Sequence, residues 1–280
     1  MPKSKNRGNK KYFGNKPKPS LKSAKQIDTN KQPITLGEYV FPIYGLKDKN
    51  GTMTPFEIHG TCFCIGKPYF LTALHVVREA KTSEQSRIGY FEQLSMNCVN
   101  MNDYEVCEEF PEHDLAIIKS EAIFTPDKKP KTFNWKGNEL LIFEDVRAMG
   151  YPLGYDAVKG ISIGRGYTGT ILCATPYERG ELKTNCYELS FQAPKGMSGG
   201  VLVDKWYNIH GMIIGNSEKS MTVFYEKREY EDEGKKVKQV EEVNQTTFIG
   251  LALKETQIFK INSNMLGKTI HDYLKEANLH

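Results

Sequence analysis

The 280-residue chain has no apolar run approaching the roughly eighteen residues that a membrane-spanning helix needs, so no membrane partner is expected. Its basic N-terminus is not followed by an apolar core, which argues against a secretory leader. Cysteine is scarce, with six in the whole chain, too few for a disulfide scaffold. Cys62 and Cys64 are two apart in a strand-like run and share a face, where they are poorly placed to bond each other. Without an export signal all six are expected as reduced thiols and the protein as cytoplasmic. Cys98, Cys107, Cys173 and Cys186 are scattered rather than paired, so no metal and no cofactor are expected.

Charge is present but unevenly spread. Residues 1–32 hold ten Lys/Arg against a single acid, Asp28, which gives this segment +9 of a whole-chain +4 and leaves −5 on the rest. That segment is rich in Lys, Asn, Gly and Pro and shows no periodicity, so it reads as a disordered basic tail. A hydrophobic fraction of 39% and 24 glycines fit a turn-rich globular body behind it.

From about Ile34 the pattern is β-like. "EIHGTCFCI" (57–65) alternates and is turned by "GKP" into "YFLT" (69–72), a predicted hairpin. "LAII" (115–118) is continuously apolar, as a strand buried on both faces is. Further runs follow at "VRAM", "TGTILCAT", "CYELSFQ", "GVLVD", "IHGMII" and "TTFIGLAL", so about ten short strands point to a sandwich or a pair of barrels. The linker between two β units is placed at "TPDKKPKTFNW" (125–135), giving units over 33–130 and 131–262. Only 263–280 looks helical, with Asn264 as its cap. Residues 226–242 carry twelve charges in seventeen positions and read as a solvated hairpin extension around Gly234.

Three stretches carry chemistry. In "APKGMSGGVLVD" (193–204) three glycines surround Ser198 and lead straight into a strand. A serine hydroxyl needs a base within hydrogen-bond reach, and the base needs an orienting acid. His75, in "YFLTALHVV", and Asp114, in "EHDLAIIK", supply both types. Each has a plainer reading alone, as a core histidine or a turn aspartate. His113 is a rival base awkwardly adjacent to the acid, and His59, His210, His271 and His280 have no comparable setting.

"LTALHVV", "HDLAII" and "GMSGGVLV" together resemble the signature segments of the trypsin/chymotrypsin-like serine peptidases, in that superfamily's order His…Asp…Ser, with intervals of 39 and 84 residues. The likeness, from about Ile34 to Asn262, is strongest to the HtrA-like (Do-like) branch, including "AMGYPLG" (148–154) and "FIGLAL" before a terminal helix. It implies an all-β fold of two six-stranded antiparallel barrels and a C-terminal helix. It also implies an endopeptidase acting on protein or peptide substrates, with His75 as base, Asp114 as its orienter and Ser198 as nucleophile. The backbone N–H groups of Gly196 and Ser198 would form the oxyanion hole, which explains the glycines.

The sequence also departs from the family. Met197 stands where digestive members carry an aspartate that pairs with a freshly cut amine, so another device is expected to order residues 193–197. No sequence follows His280 for the PDZ domain typical of HtrA proteins. By alignment Gln192 falls near the base of the primary pocket and Ile214, Gly215 and Asn216 along its wall. With no acid there, a neutral side chain is expected before the cut bond. Two other readings compete with this one. A binding or scaffolding protein could use residues 1–32 for nucleic acid or acidic partners. An esterase lacks its strand–helix elbow here.

Overall fold

The computed structural model describes residues 36–90, 100–124, 130–156, 161–232 and 235–280. The basic segment 1–32, Cys98, residues 125–129 of the linker and Gly234 lie outside the described residues.

The first sheet is built from β1 (Val40–Lys49), β2 (Thr52–Gly66), β3 (Tyr69–Ala73), β4 (Gln85–Tyr90), β5 (Asn100–Asn102), β6 (Glu105–Phe110) and β7 (Leu115–Lys119), with helix α1 (Leu74–Ala80) after β3. Their order is β5-β4-β1-β2-β3-β7-β6. Asn50 and Gly51, both at positive φ (57° and 80°), join β1 to β2 in the two-residue form that strand twist favours. The apolar run in β7 is buried on both faces: Leu115, Ala116, Ile117 and Ile118 are all fully buried. Ile117 and Ile118 pair with Leu71 and Phe70 of β3, also fully buried, and each large side chain contributes about 1.5–3 kcal/mol by leaving water.

The second sheet comprises β8 (Asn134–Trp135), β9 (Asp145–Gly150), β12 (Arg165–Arg179), β13 (Leu182–Leu189), β14 (Val201–Val203), β15 (Asn208–Asp232) and β16 (Lys235–Lys254). A small separate pair, β10 (Tyr155–Asp156) and β11 (Ile161–Ser162), interrupts it. The order is β14-β9-β12-β13-β16-β15-β8, and β14 also pairs with β15. That last pairing closes β9, β12, β13, β16, β15 and β14 into a ring around Val146, Ala148, Ile171, Tyr187, Leu202 and Ile213. Among the described residues each sheet therefore has seven strands where six are expected. The extra ones are short: β8 adds two residues parallel to the start of β15, and β5 adds three to the edge of β4.

The charged stretch 226–242 is the outer part of the β15–β16 hairpin, whose pairing continues as far as Asp232 opposite Lys235. After β16 come α2 (Glu255–Lys260), the pair β17 (Asn262–Ser263) and β18 (Lys268–Thr269), and α3 (Ile270–Glu276). The terminal helix is thus shorter than the 263–280 expected, and Asn264 does not cap it. Glu108 takes the Ser263 hydroxyl and the Asn264 N–H (2.9 Å), Gly267 turns the chain at φ 67°, and Thr269 Oγ1 caps α3 by accepting the Asp272 N–H at 3.0 Å.

Cys62, Cys64, Cys107, Cys173 and Cys186 are free thiols. Burial pushes the Cys64 and Cys186 thiols up to about 12, so neither is a reactive thiolate near neutral pH.

Candidate active site

β3 ends at Ala73 and the chain turns directly into α1, which places His75 in the first turn of a short helix. Pro111–His113 form a 3-10 turn, closed by the Asp114 N–H on the Pro111 carbonyl (3.2 Å). It leaves Asp114 at φ 48°, a left-handed conformation that aspartate tolerates better than most residues. From there Asp114 takes hold of the start of α1. Its carbonyl accepts the Leu74 N–H (3.0 Å), Oδ1 accepts the His75 N–H (2.9 Å), and Oδ2 lies 2.7 Å from His75 Nδ1. A carboxylate accepts only, so in the neutral ring Nδ1 carries the proton and Nε2 the lone pair. The His75 side chain is 40% exposed while that of Asp114 is 15% exposed, so the acid is sheltered and the imidazole faces the cleft.

The loop before β14 is held at almost every peptide. The Asn216 amide grips Ala193 twice, accepting its N–H (2.7 Å) and donating to its carbonyl (2.8 Å). The Met197 N–H bonds the Pro194 carbonyl (3.0 Å) across a turn whose third residue, Gly196, has φ 94°. A positive φ there defines a type II turn, in which the Lys195–Gly196 peptide is flipped relative to type I. The Lys195 carbonyl accordingly points away from the cleft and accepts the Leu153 N–H (2.9 Å). The Gly199 N–H bonds the Ile213 carbonyl (2.7 Å) and the Gly200 N–H the Met197 carbonyl (2.8 Å). Among the described residues the N–H groups of Lys195, Gly196 and Ser198 have no acceptor. Two of these three are the donors named from the sequence.

Close packing brings this loop to the histidine segment. The Ser198 carbonyl accepts the Thr61 N–H (2.8 Å). A Cβ at Gly199 would collide with the Thr61 carbonyl and the Thr72 hydroxyl and lie 3.1 Å from the Ala73 nitrogen, two residues before His75. The half-buried Ser198 makes no hydrogen bond to His75 among the described residues. Unliganded sites often hold this contact loosely.

His75 and Asp114 line a cleft of about 570 Å³ together with Ile214, Gly215 and Asn216. Its far wall is the tip of the β12–β13 hairpin, Tyr177–Leu182, which Arg78 ties down through Glu181 (3.2 Å). Gln192 is exposed and is not part of this wall. Ile214 and Gly215 sit at an irregularity in the β15–β16 register, where pairing skips from Ile213 to Gly215. The rival base is engaged elsewhere: His113 Nδ1 lies 3.0 Å from Thr184 Oγ1, and burial draws its pKa down. His210 is buried between Asp204 and Glu255, each at 3.4 Å. Burial lowers its pKa, but the two carboxylates outweigh that and leave it raised.

Sequence reading did not find Thr61, Leu153 or the hairpin tip. Thr61 reaches Gly196 and Ser198 from 135 and 137 positions away and Leu153 reaches Lys195 from 42, through hydrogen bonds that leave no periodic trace.

Residues 60–212, just over half the chain, match the family described as the trypsin-like peptidase domain. No curated protein matches the chain. Among solved structures, the Rv3671c protease of M. tuberculosis in its active form is 16% identical at a TM-score of 0.52, covering 80% of this chain and 78% of that one. The MamO protease domain of Magnetospirillum magneticum, in its apo form, is 16% identical at 0.51, covering 80% and 95%. The HtrA-type protease AlgW with a decapeptide is 14% identical at 0.54, covering 87% and 65%. At such identities the likeness is one of fold.

Proposed function

The chain belongs to the trypsin-like peptidase domain family, and on that premise we propose that it is an active serine endopeptidase. The observation that carries this reading is the 2.7 Å pairing of His75 Nδ1 with Asp114 Oδ2, with the imidazole's other nitrogen turned to an open cleft. His75 Nε2 takes the proton of Ser198 as its oxygen attacks the scissile carbonyl. The same nitrogen returns that proton to the leaving amine, and Asp114 stabilises the imidazolium formed between the two steps. Charge developing on the carbonyl oxygen is received by the N–H groups of Gly196 and Ser198. One such donor is worth about 3 kcal/mol of transition-state stabilisation. Water then repeats the sequence on the acyl-enzyme.

Ile214, Gly215 and Asn216, which line the cleft, are assigned to the substrate. No carboxylate stands at these positions, so cleavage follows a neutral side chain. A peptide library profiled with the purified chain is expected to show neutral residues before the cut bond; a profile dominated by Lys or Arg overturns the assignment. No helix among the described residues is long and apolar enough to cross a membrane, and residues 1–32, on which the nucleic-acid reading rests, lie outside them.

The test of the activity is covalent. A fluorophosphonate probe is expected to label the folded chain, with peptide mapping placing the adduct on Ser198. A well-folded protein that takes no label, or takes it on another residue, overturns the reading.

A further inference from the structure

Gly196 presents a physical problem. Two N–H groups, one on either side of the Gly196–Met197 peptide, have to point at one place, yet glycine is the residue least able to hold a backbone direction. In this chain position 197 cannot help through charge, because Met197 is fully buried among Val146, Ala148, Leu202 and Ile213. The neighbouring peptides are fixed by backbone partners, Leu153 on the Lys195 carbonyl and Gly200 on the Met197 carbonyl. The carbonyl of Gly196 itself is held by a side chain from the other sheet. Thr61 Oγ1 donates to it at 2.7 Å.

We propose that Thr61 is a positioning residue for the oxyanion-binding loop, its hydroxyl setting the direction of the Gly196 and Ser198 N–H groups. Thr61 is fully buried, and its hydroxyl and main-chain N–H are both engaged around this loop. The hydroxyl donates to the Gly196 carbonyl and accepts the Tyr151 N–H at 3.0 Å. The main-chain N–H holds the Ser198 carbonyl at 2.8 Å, and the Thr61 carbonyl accepts the Thr72 hydroxyl at 2.8 Å. The Thr72 bond ties Thr61 to β3, which ends at Ala73, two residues before His75. One residue of β2 thus grips the loop on both sides of Met197 and the segment 151–154 that holds Lys195. Where an ion pair at position 197 is impossible, hydrogen bonds from Thr61 hold the loop instead. This inference rests on the peptidase reading above and adds the device that sets its oxyanion site.

The experiment compares Thr61→Val, which keeps the shape and deletes the hydroxyl, with Thr61→Ser, which restores it, in the full chain on a peptide substrate taken from the library. In Thr61→Val kcat is expected to fall about 10- to 100-fold with KM within about twofold, because a misaimed donor harms the transition state and not the bound substrate. The affinity of a peptide boronic acid, whose tetrahedral adduct engages the same N–H groups, is expected to fall in parallel, while a product peptide binds as before. Thr61→Ser is expected to return kcat to within about threefold of wild type. Ser120→Ala serves as the stability control, since it deletes another buried hydroxyl (2.7 Å to the Asp103 carbonyl) at the opposite end of β7 from Asp114. If Thr61→Val does not fold, Thr61→Cys, of similar size and a weak donor, takes its place. Unchanged kcat in the deletion variant, loss in Thr61→Ser as deep as the deletion, or an equal loss in Ser120→Ala each overturns the role of Thr61 while leaving the peptidase reading intact. A wild-type chain that neither cleaves nor labels takes both down.

Discussion

Asp114→Asn is expected to lower kcat about 10⁴-fold while leaving the fold intact. The reason lies in the two contacts that the carboxylate makes with one residue. Oδ1 accepts the backbone N–H of His75 at 2.9 Å, and Oδ2 faces Nδ1 at 2.7 Å. An asparagine has one oxygen and one NH₂, and the backbone N–H can only be met by the oxygen. The NH₂ is then forced towards Nδ1, which must accept and give up its proton to Nε2. The imidazole is held in place in the wrong tautomer, with a hydrogen where the lone pair for Ser198 is needed. Steady-state kinetics alongside thermal unfolding check this: a variant with more than about a tenth of wild-type kcat contradicts the assigned roles. A variant that unfolds far below wild type contradicts the purely local origin of the effect.

Gly199→Ala is expected to carry a large structural penalty, about 4 kcal/mol or more, from a left-handed conformation and an overfilled contact together. Its φ is 80°, and a methyl there would drive into the Thr61 carbonyl and the Thr72 hydroxyl. Those atoms belong to β2 and β3, so the clash falls on the seam between the sheets and cannot be relieved by turning a side chain. Gly154 isolates the conformational part, since its φ is 75° and no atom lies within 4 Å of the position of its Cβ. Gly154→Ala is therefore expected to cost about 1–2 kcal/mol. Urea unfolding of both variants separates the two contributions. Equal shifts in midpoint would mean that contact with β2 and β3 contributes nothing. Since a typical domain is stable by only about 5–15 kcal/mol, Gly199→Ala is also expected to express poorly.

What could be read without coordinates followed from how each signal is encoded. The run Leu115–Ile118 announces a doubly buried strand because burial on both faces demands apolar residues at every position. The glycines around Ser198 announce an unusual backbone because φ values of 94° and 80° exclude most side chains. The pairing of His75 with Asp114 was legible through motif likeness, and the distance between them supplies its physical content. Other features depend on partners remote in sequence and carry no local mark. The terminal helix was drawn too long because apolar spacing over 266–274 is helical, while the competing claim of Glu108 on Ser263 and Asn264 comes from 155 positions away. Asn216 was placed on a pocket wall, and it does line the cleft. Its amide is nonetheless engaged twice by Ala193, a use that residue type alone does not announce.

The final segment of the chain has a mechanical consequence. Having completed the second sheet, the polypeptide crosses back to the first, where Glu108 receives Ser263 and Asn264, and Tyr273 reaches the Gly66 carbonyl at 3.3 Å. It then returns to fasten Leu279 to Trp135 of β8 (2.8 Å). The tail end is a guy rope strung between two bodies that each own part of the proposed reacting group. With it taut, the two halves are tied at points remote from Thr61. Slackened, they would lean more heavily on the Thr61 contacts for their aim, so wear at this terminus would register as a misaligned tool before it registered as a broken one.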